Sequence, residues 1–343
     1  MFITDDEALL DQLLRLAAAA GITPEVARDG VGGLRGWSAA SLVLVGADQA
    51  RAMARSSPPR RGKVHVVVLG GVPNDLFEVA LAVGAESVAA LPGSETWLVE
   101  ELTDLGDQRT ERGLTLGVVG GSGGVGATTF ACALGQMAAL SGEAVVIDLD
   151  PLGPGIDRVL GLEAREGMRW DELGQPTGRL SARSLRQALP RSAGLGVLTW
   201  NTGPHGTLQA FAVREALSAA QRGHDTVVLD LPRSRDALHD EVVARCDKVL
   251  VVTAPTVSGV ASAARVCVGF PAGLLALVIR GSGADPRDVA RVVGAPVIAE
   301  MPDQRGLAES IDLGLGPVRS RRGPLGRTGL RVLDALHRLE PAA

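Results

Sequence analysis

The sequence predicts an α/β chain of two doubly wound domains, each built on a mainly parallel sheet. Three observations point there. Short apolar runs alternate with segments of helical periodicity, which is the order that folds into parallel sheets covered by helices. The chain is 46% hydrophobic with 44 glycines, and its mean hydropathy is positive, which suits tightly packed layers better than a disordered or fibrous protein. Its 343 residues are enough for two separate cores.

Residues 2–4 read as a short first strand, unusually short for one that starts at Met1, and residues 6–20 as a helix with a stripe through Leu9, Leu10, Leu13, Leu14 and Leu16. Residues 41–45 and 64–69 read as buried parallel strands, residues 77–83 as a helix and 87–91 as a further strand. This order suggests a flavodoxin-like sheet over residues 1–102, and it resembles the receiver domain of response regulators. Asp5 and Asp6 fall where a receiver keeps its acidic pair. The phosphoacceptor position falls on Gly46, the switch Thr/Ser near Gly70, and the lysine before the late proline on Leu91, with Pro92 kept. Without the carboxylate no phosphoaspartate forms, so the expectation is a pseudo-receiver used for docking. Residues 103–113 are polar and aperiodic and read as a linker. A second domain is expected over 114–317 and an arginine-rich tail with a short helix over 318–343.

The second domain opens on Gly120-Gly121-Ser122-Gly123-Gly124-Val125-Gly126-Ala127-Thr128-Thr129, between a strand-like run at 114–119 and a helical stretch at 128–140. Strand, glycine loop and helix N-terminus together make a phosphate cradle of backbone N–H groups. Residues 144–147 form an apolar strand that delivers Asp148 and Asp150 to one side of its C-terminal edge. Residues 226–229 lead in the same way to Asp230, a hard oxygen ligand suited to Mg²⁺. Residues 248–253, 275–280 and 296–301 read as later strands.

The loop resembles the deviant Walker A motif of the MinD/ParA superfamily, KGGxGK[ST][ST], with Ser122 and Ala127 at the two lysine positions and Thr128 keeping the magnesium-binding hydroxyl. The resemblance implies ATP and Mg²⁺ as cofactors. Gly121, Ser122, Gly123, Gly124, Val125, Gly126, Ala127, Thr128 and Thr129 would hold the phosphates. Thr128, Asp148 and Asp230 would serve the metal, and Asp150 would position the attacking water. Arg233 or Arg235, just after Asp230, could replace the lost charge, because guanidinium suits phosphate. In relatives an Asn-Arg pair helps read adenine; here the pair is Ile279-Arg280. Residues 306–317 look like the closing motif of the family.

Pairing with a receiver-like domain resembles the CpaE/TadZ branch, and closer still its actinobacterial offshoot of septum site-determining, helicase/secretion-neighbourhood proteins. Only two of the 34 basic residues are lysines, Lys63 and Lys248, which fits a high-GC actinobacterium. The branch implies a homodimer that positions the division septum or Tad-type pilus and secretion machinery, and the replacement of both lysines implies weak or absent hydrolysis. The alternatives are a nucleotide-independent scaffold and a ParA-like partition ATPase.

A net charge of -5 gives no general case for nucleic acid, and no base-reading motif is present. Cys132, Cys246 and Cys267 show no metal-ligand spacing and are too few for a disulfide framework, so a reducing cytoplasm is expected. Residues 1–7 are acidic and carry no apolar signal core. The tail sets Arg319, Arg321, Arg322, Arg327, Arg331 and Arg338 against Asp334, with Leu330, Leu333, Leu336 and Leu339 at roughly helical spacing. That pattern fits either a final helix packed on its own domain or a peripheral contact of 319–339 with anionic lipid.

Overall fold

The computed structural model describes residues 1–106, 113–173, 180–201, 209–271 and 273–337. The chain divides into two compact units, Met1–Gln108 and Arg109–Ala343.

In the first unit β1 (Phe2–Ile3), β2 (Val26–Ala27), β3 (Val43–Gly46), β4 (Val64–Leu69) and β5 (Ser87–Leu91) form one parallel sheet in the order β2-β1-β3-β4-β5. This is the flavodoxin-like order. Strand β2 has only two residues and no apolar run, so the sequence carries no signal for it. The first helix, Glu7–Ala19, begins where the Asp6 carboxylate accepts the Ala8 and Leu9 N–H groups at 2.9 and 3.1 Å. It buries Leu9, Leu10, Leu13 and Leu16, and Leu14 points outward. Alternation along the strands sends Val43, Val45, Val64 and Val66 to a core with Trp37 and Met53, and Leu44 and Val67 to a core with Leu13 and Leu98. Helix Glu95–Gly106 runs into the stretch read as a linker and buries Leu102. The rest of that linker, 107–112, lies outside the described residues.

The receiver-like positions are occupied in an unreceptive way. Asp6 is committed to its cap, and Asp5 lies 3.8 Å from Arg28. The Asp48 carboxylate accepts the Thr4 hydroxyl at 2.8 Å and the Asp5 N–H at 2.8 Å. A Cβ added at Gly46 would fall 2.2 Å from Asp48 Oδ1 and 2.6 Å from Thr4 Oγ1. The place of the phosphoacceptor is filled by a neighbouring carboxylate that braces the β1 loop.

The second unit carries β6 (Leu114–Gly120), β7 (Ala144–Asp148), β8 (Arg191–Ser192), β9 (Leu195–Leu198), β10 (Thr226–Asp230), β11 (Lys248–Thr253), β12 (Leu275–Arg280) and β13 (Val297–Met301). Their order is β13-β12-β11-β6-β10-β7-β9-β8, parallel throughout except that β8 runs antiparallel to β9. Every residue of β6, β7 and β10 is buried, as a parallel sheet covered on both faces requires. One face packs on helices Ala127–Ala138 and Pro324–His337, the other on Ala210–Gly223, Ala237–Val243, Val257–Cys267 and Pro286–Val293. Strands β8 and β9 are short, and the sequence carries no motif that marks them.

Helix Pro324–His337 settles how the tail stripe is used. Leu325, Val332, Leu333 and Leu336 are buried in the core with Met137 and Ala133, and Leu330 packs against it. Leu339 lies outside the described residues. Arg319, Arg321, Arg322, Arg327 and Arg331 remain exposed. Of the two readings of this pattern, the structure shows the packed helix: the apolar face lies on the domain itself, with the arginines on the outside. Among the described residues no helix is long and apolar enough to cross a membrane.

Candidate phosphate-binding site

Strand β6 lies between β10 and β11, and β7 lies beyond β10, so the direction of the chain across the sheet reverses beside β6. In open α/β sheets the crevice forms at the C-terminal ends of the strands at such a point. The glycine loop leaves β6 there. Its Gly121 N–H is held by the Val252 carbonyl of β11 at 2.8 Å, and Val125 plugs into the core. Gly124 and Gly126 have φ values of +70° and +90°, a region glycine enters without strain. Helix Ala127–Ala138 starts at Gly126 without a side-chain cap, so its first N–H groups stay free to meet an anion.

The loop forms one wall of a cavity of about 1050 Å³, which Thr128, Thr129, Asp150, Asp230, Arg233 and Arg280 also line. Leu307, Ala308 and Glu309 close another side, from the stretch that resembled the family's closing motif. Ser122 and Ala127, the positions where the resemblance expects lysines, both line the cavity.

Asp148 and Asp230 are register partners at the ends of β7 and β10, and both are almost wholly buried. Burial raises Asp230 to about 8, Asp148 adds to the rise, and a hydrogen bond with the Thr128 side chain works against it. Its Oδ2 has no hydrogen-bond partner. An orphaned carboxylate oxygen beside a threonine hydroxyl is a fitting place for a hard cation such as Mg²⁺. No cluster of three or more His, Cys, Asp or Glu able to hold a metal exists among the described residues, so such an ion would need water or phosphate to complete its shell.

Asp148 is placed differently from its expected role. It does not line the cavity. Its oxygens accept the Asp150 N–H at 3.1 Å, the Ile156 N–H at 3.4 Å and the Thr199 hydroxyl at 2.8 Å, and burial raises it to about 6. It braces the turn that presents Asp150, and Trp170 Nε1–H adds a 2.6 Å bond to its backbone carbonyl. Thr199 and Trp170 come from the long β7–β10 connection, where the sequence shows no motif.

The two candidate arginines separate clearly. Arg235 bonds Asp240 at 2.7 Å and lies over the Phe270 ring, 5.6 Å from its centroid, away from the cavity. Arg233 is exposed at the cavity wall, its Nη1 3.7 Å from where a Gly123 Cβ would sit. Arg280 donates to the Val125 carbonyl at 3.1 Å and pairs with Asp303 at 3.0 Å. It buttresses the loop, a role that the position of Ile279-Arg280 in the sequence did not reveal.

A glycine phosphate loop on the central strand, with a buried aspartate at the end of the next strand, defines a P-loop α/β fold of the MinD/ParA type. Residues 3–113 match the family described as "Rv3660c-like, CheY-like N-terminal domain". Across both units the chain is 35% identical over 348 aligned positions to the uncharacterised protein Rv3660c of Mycobacterium tuberculosis, covering 97% of this chain and 96% of that one. A ParA family ATPase from Chlorobium tepidum superposes with a TM-score of 0.57 at 16% identity, over 64% of this chain and 96% of that one. The septum site-determining protein MinD complexed with Mg-ADP from Pyrococcus horikoshii superposes with a TM-score of 0.51 at 16% identity, over 67% and 99% of the two chains. The chain belongs to the family of Rv3660c, and its second unit shares the fold of the MinD/ParA ATPases.

Proposed function

We propose that the protein is a spatial regulator whose second unit binds a Mg²⁺-nucleotide and uses it to control self-association, while the pseudo-receiver docks on a protein partner. The observation that carries this reading is the Asp230 oxygen left without a partner beside Thr128 in a cavity walled by the glycine loop. A protein with no use for nucleotide gains nothing from burying that group, since a buried polar atom left without a partner is costly.

In this reading the N–H groups from Gly121 to Thr129 hold phosphate, Thr128 and Asp230 hold the metal, and Asp148 keeps the Asp150 turn in place. Bound Mg²⁺ would neutralise phosphate charge. Asp150 faces the cavity and would orient water. Serine and alanine at the two lysine positions remove transition-state electrostatics, usually the largest catalytic contribution, so hydrolysis is slow or absent. The resemblance to MinD and CpaE points the function toward the division septum or Tad-type secretion machinery, as a dimer at the cytoplasmic side of the envelope. A nucleotide-independent scaffold is the competing reading. Light scattering of the full chain with and without Mg²⁺-nucleotide separates them: doubling of the mass on addition is expected, and an unchanged mass favours the scaffold.

A further inference from the structure

The charges around the cavity specify more than a phosphate site. Two kinds of group hold a nucleotide in a glycine loop. Backbone N–H groups cradle the α- and β-phosphates, and the loop lysine reaches the β- and γ-phosphates. Here the first kind is intact, and Ala127 stands in place of the second. Of the two arginines at the wall, Arg280 is already engaged by Val125 and Asp303, so its charge is largely spent inside the protein. Among the described residues that line the cavity, Arg233 is the one cation with no partner of its own. Against it stand the carboxylates of Asp150 and Glu309.

From this we infer that the site prefers a nucleoside diphosphate to a triphosphate, with Arg233 the one uncommitted cation among the described cavity-lining residues to offset the charge of a third phosphate. The inference rests on the nucleotide-binding reading above and names its ligand class. A diphosphate keeps all of its backbone donors and the cation site at Thr128 and Asp230. A triphosphate adds charge on the side where the lysine is missing and carboxylates line the wall. That charge must meet Arg233, whose exposed guanidinium contributes less than a desolvated lysine would. The resting form is then the diphosphate complex, and the triphosphate form needs a charge that the isolated chain supplies poorly.

The test is calorimetric titration of the full chain, in Mg²⁺, with ADP and with a non-hydrolysable β,γ-imido analogue of ATP. ADP is expected to bind at least tenfold tighter. Arg233→Ala should weaken the analogue about tenfold and ADP less than twofold. Ala127→Lys should bring the analogue to at least the affinity of ADP. Equal or tighter binding of the analogue by the wild-type chain overturns the inference while leaving nucleotide binding in place, as does an equal loss of both ligands in Arg233→Ala. Failure of both ligands to bind at millimolar concentration overturns the inference together with the reading on which it rests.

Discussion

Ala127 and Ser122 remove charge from the loop, while Gly124 and Gly126 hold a backbone that other residues would strain, so loop shape and loop charge are separable here. The motifs were legible because glycine spacing and an apolar run ending in Asp are local patterns. The bracing by Thr199 and Arg280 was not, because each acts across the fold on a residue distant in sequence. Away from the site, His224 offers a clean test of burial. It is fully buried at the end of helix Ala210–Gly223, with Nδ1 3.0 Å from the Ala220 carbonyl and Nε2 unpartnered. Burial lowers it from 6.5 to about 4. Its folded pKa lies below its unfolded one, so the unfolded chain binds more protons in that interval. The stability it contributes is present above pH 6.5 and lost as pH falls toward 4. Asp148 and Asp230, raised in the fold, act in the opposite direction, so the informative quantity is a difference between proteins. Urea unfolding of the wild type and His224→Leu, compared at pH 7 and pH 4, should show the variant gaining about 3 kcal/mol relative to the wild type at the lower pH. A difference independent of pH would contradict the account.

Helix Pro324–His337 shows what an element-level pattern can and cannot say. Its leucine spacing announces an amphipathic helix, but periodicity does not name the surface that the apolar face meets. The structure answers with helix Ala127–Ala138 and β13, where Leu336 is buried at 3% exposure. Leu336→Ala should therefore cost about 2–5 kcal/mol, as a buried leucine truncation does, read as a lower urea midpoint of the second unit. A cost below about 0.5 kcal/mol would mean that the helix is a surface appendage. Strands β6, β7 and β10 were readable for the opposite reason. A strand buried on both faces is a continuous apolar run whatever its partners, whereas two-residue β2 and β8 exist only through pairing with their neighbours.

At the scale of the whole molecule, both units keep a familiar fold with departures from its usual residues. In the first, Asp48 and Thr4 occupy the space beside Gly46; in the second, Ser122 and Ala127 stand where the proposed nucleotide site would otherwise have lysines. The two-domain plan was visible in the chain order of its motifs, which follow the sheet. Ligand state and partners lie beyond such patterns, because they depend on charges that only the folded cavity assembles. The central claim is that the site binds Mg²⁺-nucleotide without a loop lysine. Calorimetric titration of Mg²⁺-ADP into the wild type and Thr128→Ala tests it most directly. Saturable one-to-one binding that needs Mg²⁺ and weakens at least tenfold in the variant is the predicted result. Absence of binding to the wild type at millimolar nucleotide, or binding indifferent to both Mg²⁺ and Thr128, would contradict it.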